Sequence, residues 1–153
     1  MSPTTAQTSG PRPYRVRDAT WADDGEALRA VRFPVFVDEQ RVPAEIEIDE
    51  LDAVCLHALA EDAEGQPIGA ARLDDGGHIG RVAVLAAWRR HGVGAALMRH
   101  LSDRARATGH RRIEISAQVQ AIPFYAALGF VTHGPVYLEA GIDHRHMTLD
   151  LDA

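Results

Sequence analysis

The feature that most limits how this chain can fold is a strand that passes through a glycine turn directly into a long helix. Ile79-Gly80-Arg81-Val82-Ala83-Val84 is apolar and β-branched enough for a strand. It leads into Arg89-Arg90-His91-Gly92-Val93-Gly94-Ala95, after which Val93, Leu97, Leu101 and Ala105 recur at four-residue steps along one helical stripe. Gly109 stands where a helix-ending glycine belongs. A helix start exposes unpaired N–H groups and a partial positive charge, which suits a phosphate. Glycines at 92 and 94 remove side chains that would hold a pyrophosphate off the backbone, and Arg89 and Arg90 add charge. Alone, such a turn is more often structural than ligand-binding, so its surroundings have to decide.

Two phosphate motifs are excluded by the same residues. A Walker loop needs a lysine, and all sixteen basic residues here are arginine. A dinucleotide fingerprint needs a third glycine inside a parallel βαβ unit. Position 97 is leucine, and the strands before it form a meander.

The rest of the chain reads as a mixed α/β (α+β) order. Residues 14–18 form a first strand, and Thr20 caps a helix over 22–31 that Pro34 interrupts. Strands follow at 54–60, 68–73 and 79–84, joined by turns at Gly65 and Gly76-Gly77. After the long helix come a strand at 112–117, a short helix over 121–128, a strand opening at Gly129-Phe130-Val131, and a last strand at 146–149. The 153 residues suit one domain over 14–153, with a polar, proline-bearing disordered tail at 1–13. No apolar stretch reaches the roughly 20 residues a membrane span needs. A net charge of −6 argues against nucleic acid as a partner. The single cysteine, Cys55, excludes an internal disulfide and reads as a buried thiol, with the cytoplasm as the default compartment. Residues 38–52 carry seven carboxylates against one base, Arg41, and form either a solvated loop or an attractor for a cationic ligand.

The turn resembles motif A of the GCN5-related N-acetyltransferases, Arg/Gln-x-x-Gly-x-Gly/Ala, here Arg89 to Gly94. Gly80-Arg81-Val82-Ala83-Val84-Leu85 resembles the family's fourth strand, which pairs with the pantetheine arm. Ala121-Ile122-Pro123-Phe124-Tyr125-Ala126-Ala127-Leu128-Gly129-Phe130 is similar to its A-x-x-x-Y-x-x-x-G-F segment. Arg32 through Gln40, Asp49 to Asp52, His57 and Gly141-Ile142-Asp143-His144 further resemble the ElaA-type branch. The likeness covers about residues 14–151. It implies a mostly antiparallel sheet of six to seven strands with about four helices and splayed central strands. It also implies acetyl-CoA as co-substrate, an amine as acceptor, no metal, and a possible homodimer.

Carried over residue by residue, the resemblance implies a donor site of Val82, Ala83, Val84, Arg89, Arg90, His91, Gly92, Val93, Gly94, Ala95, Gln118 and Phe124. The Val84 N–H would polarise the thioester carbonyl. Tyr125 matches the general acid that protonates the departing thiolate, a phenol near 10 against a thiol near 8.5. Most alkyl amines are charged at neutral pH, so a base is needed. Arg81 stands on the fourth strand where many members carry a carboxylate, which moves the search to Glu39 and His144. His57 reads as structural, His78 and His91 as surface residues, and Cys55 lacks the setting of an acyl-carrying thiol. A CoA-binding module without turnover, or transfer of another acyl group, would use the same turn.

Overall fold

The computed structural model describes residues 12–151. The expected tail lies outside them except for Arg12 and Pro13. Arg12 is held against the body, its guanidinium 3.6 Å from the Trp88 ring centroid and donating to the Ala87 carbonyl at 2.9 Å.

Seven strands form one sheet: β1 (Tyr14–Ala19), β2 (Leu56–Asp62), β3 (Pro67–Leu73), β4 (His78–Val84), β5 (Arg112–Gln118), β6 (Val131–Glu139) and β7 (Ile142–Asp150). They lie in the order β1-β2-β3-β4-β5-β7-β6. Four α-helices accompany them: α1 (Trp21–Arg32), α2 (Ala44–Glu47), α3 (Val93–Ala107) and α4 (Ile122–Ala127). β2 and β3 are buried on both faces, so the sheet needs cover on both sides. Ala58, Ala60 and Ala71 pack with Leu97 and Leu101 of α3, while Leu59 and Ala70 pack with Leu28 and Val31 of α1. No helix among the described residues is long and apolar enough to cross a membrane.

Every strand pair is antiparallel except β4 with β5, and this parallel pair matches only His78 to Glu114 and Ile79 to Ile115. Beyond those residues the two strands part. Arg81, at φ +52°, sits in the register shift between β3 and β4, a bulge that increases the local twist of β4. The expected splay is present.

Several boundaries differ from the sequence reading. β2 starts at Leu56, because Val54 and Cys55 close the short turn Glu50–Ala53 through bonds to the Leu51 carbonyl. Pro34 ends the α-hydrogen-bonding of α1, yet the chain keeps winding as a π-helical turn over Phe33–Glu39, closed by Gln40 N–H to the Val35 carbonyl at 3.2 Å. The last two strands are longer than expected. They form a hairpin over two left-handed residues, Ala140 at φ +52° and Gly141 at φ +77°. Pro135 lies within β6, tolerated because β6 is an edge strand.

Candidate active site

A cleft of about 450 Å³ opens where β4 and β5 part. The π-helical turn and α2 form one wall, and the β5 end, α4 and the β6–β7 hairpin form the other.

Its floor follows from strand geometry. Leu85 N–H donates to the Ile68 carbonyl on β3 at 2.9 Å. Successive strand N–H groups point to opposite edges, so the Val84 N–H is directed into the gap. Val82 and Val84 pack towards α3 and α4, and Ala83 is buried towards α1. The gap therefore presents β4 backbone beside small apolar side chains.

The glycine turn sits at the head of the gap. Gly92 caps α3 at φ +83°, a conformation that a β-carbon disfavours by roughly 1–2 kcal/mol. The first backbone bond of α3 runs from Ala96 N–H to the Gly92 carbonyl at 3.0 Å, and the helix start has no side-chain cap. The N–H groups of Val93, Gly94 and Ala95 are thus left for an anion. A β-carbon on Gly94 would stand 3.2 Å from the Phe124 ring, so a larger residue there would crowd the approach. Arg90 is exposed at φ +66°, and His91 packs edge-on against Trp88 at 5.7 Å. Arg89 differs from its expected part: its guanidinium donates to the Val84 carbonyl at 3.0 Å and pairs with Glu39 at 2.7 Å.

Tyr125 and His144 both line the cleft. Tyr125 is 9% exposed, held edge-on between Phe124 and Phe130 at 4.9 and 5.8 Å. Burial pushes its phenol up to about 12, well above the value near 10 that the sequence suggested. His144 Nδ1 lies 2.7 Å from the Ile142 carbonyl, an acceptor only, so Nδ1 carries the proton and Nε2 keeps its lone pair. Buried polar side-chain atoms among the described residues all have partners. Tyr125 Oη and His144 Nε2 have none among those residues, so both atoms open to the cleft.

Gln118 spans the cleft, donating to Gln40 Oε1 at 2.7 Å and accepting from Gln120 at 2.6 Å. His57 is buried and bonded to the Asp52 carbonyl at 2.9 Å; burial lowers its pKa and keeps it neutral. The Cys55 thiol is buried, raised in pKa by that burial, and not part of the cleft lining.

The acidic segment is neither a solvated loop nor a free attractor, which corrects both readings of 38–52. Glu47 and Asp52 pair with buried Arg32 at 2.7 Å, Asp49 and Asp52 with Arg72 at 2.8 Å, and Asp49 with Arg81 at 3.3 Å. Burial raises the Asp52 carboxyl, but hydrogen bonds and charge from Arg32 and Arg72 outweigh it and hold the group at about 2. Arg81 is lowered by its burial and by the charges of Arg72 and Arg32. Three arginines and three carboxylates cancel. The sequence reading also missed Gln40, Ser116, Tyr137 and Glu139. A hairpin reading of Glu139-Ala140-Gly141-Ile142 would have brought the last two beside His144.

A sheet opened between two parallel strands, with a helix start aimed at the opening, defines an acyltransferase. Residues 23–151 match the acetyltransferase (GNAT) domain, and the chain belongs to that family. It is 43% identical over 124 residues to the uncharacterized N-acetyltransferase YjcF of Bacillus subtilis, covering 78% of this chain and 88% of that one. Its structure is similar to an acyl-CoA N-acyltransferase from Pseudomonas aeruginosa, with a TM-score of 0.78, 33% identity, and 89% and 99% of the two chains covered. Escherichia coli ElaA gives a TM-score of 0.76 at 28% identity, over 89% and 99%.

Proposed function

We propose that this acyltransferase moves an acetyl group from acetyl-CoA to a primary amine by direct attack, both substrates being bound together. Residues 14–153 act as one catalytic unit in the cytoplasm. The free N–H groups at the start of α3 hold the pyrophosphate, and the backbone of β4 holds the pantetheine arm. Kinship with an acyl-CoA N-acyltransferase supports this donor.

The observation that carries the reading is the fixed tautomer of His144, which leaves the Nε2 lone pair in the cleft that Tyr125 also lines. Nε2 takes a proton from the amine, whose nitrogen then forms the new C–N bond. The Val84 N–H stabilises the oxyanion that develops before the C–S bond breaks. Tyr125 donates to the leaving sulfur. At a pKa of about 12 it does so while the negative charge is still developing, since transfer to a free thiolate is uphill. Glu39 is a weaker candidate for the base, because its carboxylate already accepts from Arg89.

The test is release of free thiol from acetyl-CoA in the presence of a panel of amines. Turnover lost in His144→Gln and strongly reduced in Tyr125→Phe supports the proposal. Binding of coenzyme A with no turnover on any amine would identify a binding module instead.

A further inference from the structure

Six charged or titratable side chains line the cleft: Glu39, Glu47, Arg81, Arg89, Glu139 and His144. Four of them belong to compensated groups, Glu39 with Arg89 and Glu47 with Arg32 and Arg81. Glu139 has no arginine within ion-pair distance among the described residues. Its Oε1 accepts from Ser116 Oγ at 3.1 Å.

That serine hydroxyl has one proton and gives it to Glu139, so its short contact with the Tyr137 hydroxyl must be donated by the tyrosine. The Tyr137 oxygen in turn lies 3.5 Å from His146 Nδ1, and the ring is stacked between His144 and His146 at 6.1 and 4.6 Å. The hydrogen bonds run one way and end on the Glu139 carboxylate. This is a built anion with a fixed position and no cation of its own.

Its position relative to His144 follows from the hairpin register. Tyr137 faces His144 and Glu139 faces Ile142, so Glu139 lies two residues further along the ladder than the base. Two residues of strand advance about 7 Å. An extended chain of roughly five methylenes covers a similar distance at ordinary bond lengths.

We propose that the acceptor is an aliphatic diamine. One amine is deprotonated at His144 Nε2 and acetylated, and the second remains an ammonium ion held by Glu139. This rests on the reading of the cleft as an amine acetyltransferase site and names its acceptor class. The acidic run at 38–52 has no part in the preference, because Glu47, Asp49 and Asp52 are already paired.

The test compares pentylamine, diaminopentane and aminohexanoate as acceptors at saturating acetyl-CoA, read as kcat/KM from thiol release. Diaminopentane should exceed pentylamine at least fivefold and aminohexanoate should be the poorest. Raising the salt concentration should shrink the difference, because the Glu139 contact is exposed. In Glu139→Gln the diamine-to-monoamine ratio should fall towards one, Glu139→Asp should restore part of it, and Glu139→Lys should move the preference towards aminohexanoate. Equal turnover of the three acceptors overturns this inference and leaves the acetyltransferase reading standing. A preference that survives in Glu139→Gln overturns it too. No turnover with any amine overturns both.

Discussion

Arg89 pairs with Glu39 at 2.7 Å and donates to the Val84 carbonyl at 3.0 Å, so one guanidinium joins the phosphate turn, the floor strand and the opposite wall. Removing either partner loosens the same contact, and the effects on acetyl-CoA affinity should not add. A double-mutant cycle with Glu39→Ala and Arg89→Ala, read by calorimetry, should give a coupling of about 0.5–1 kcal/mol, the range for a half-exposed pair. Additive effects would show that the two residues act separately.

Tyr125 titrates far above neutral pH because burial opposes its ionised form. It therefore stays protonated across the working range and should set no alkaline limb in the rate profile below about pH 10. Tyr125→Phe should lower kcat about a hundredfold, the usual scale for losing a positioned proton donor, with little change in acetyl-CoA affinity. An alkaline limb near pH 8 that disappears in the phenylalanine variant would contradict this placement.

Gly94 faces the Phe124 ring at a distance that leaves no room for a branched side chain. Gly94→Val should weaken coenzyme A binding at least tenfold while leaving the thermal midpoint nearly unchanged, since position 94 is in the first turn of α3 and borders the cleft floor. Pairing it with Phe124→Ala should recover part of the loss. Unaltered affinity in Gly94→Val would sink the assignment of the α3 start as the phosphate site.

Arg32 is 1% exposed and neutralises Glu47 and Asp52. Arg32→Met leaves buried carboxylates short of charge and should cost about 3 kcal/mol, with a midpoint lower by roughly 10 °C. The pH dependence follows from Asp52, whose folded pKa of about 2 lies below the ordinary 3.8. The unfolded chain binds that proton more tightly, so the stabilisation is complete above about pH 4 and fades as pH falls through 2. It amounts to about 2 kcal/mol. Urea titrations between pH 2 and 5 should show that slope, and Asp52→Asn should flatten it.

Where function rests on local pattern, the sequence was legible. α3, its glycine cap, the strand before it and the Tyr125 segment are each written in neighbouring residues. The ion-pair core was not, because Glu47, Asp49 and Asp52 find their partners at Arg32, Arg72 and Arg81, on three separate elements. Read locally, those carboxylates face a single arginine. The β6–β7 hairpin was obscured for another reason. Gly134-Pro135 interrupts β6, and its exposed Val131, Val136 and Leu138 break the alternation expected of a half-buried strand. With the hairpin unread, Glu139 and Tyr137 had no reason to be placed beside His144.

The parting of β4 and β5 after two residue pairs leaves a slot where a sheet would ordinarily have continuous bonding. A guest carrying amide groups can finish that ladder as a short strand would, through contacts the chain makes with backbone alone. The grip then falls on the handle that acyl donors share, and not on their cargo. Selection among acyl groups has to happen at the end of the slot, where Tyr125 and His144 stand, so substitutions there can retune the chemistry while the handle stays in the same grip.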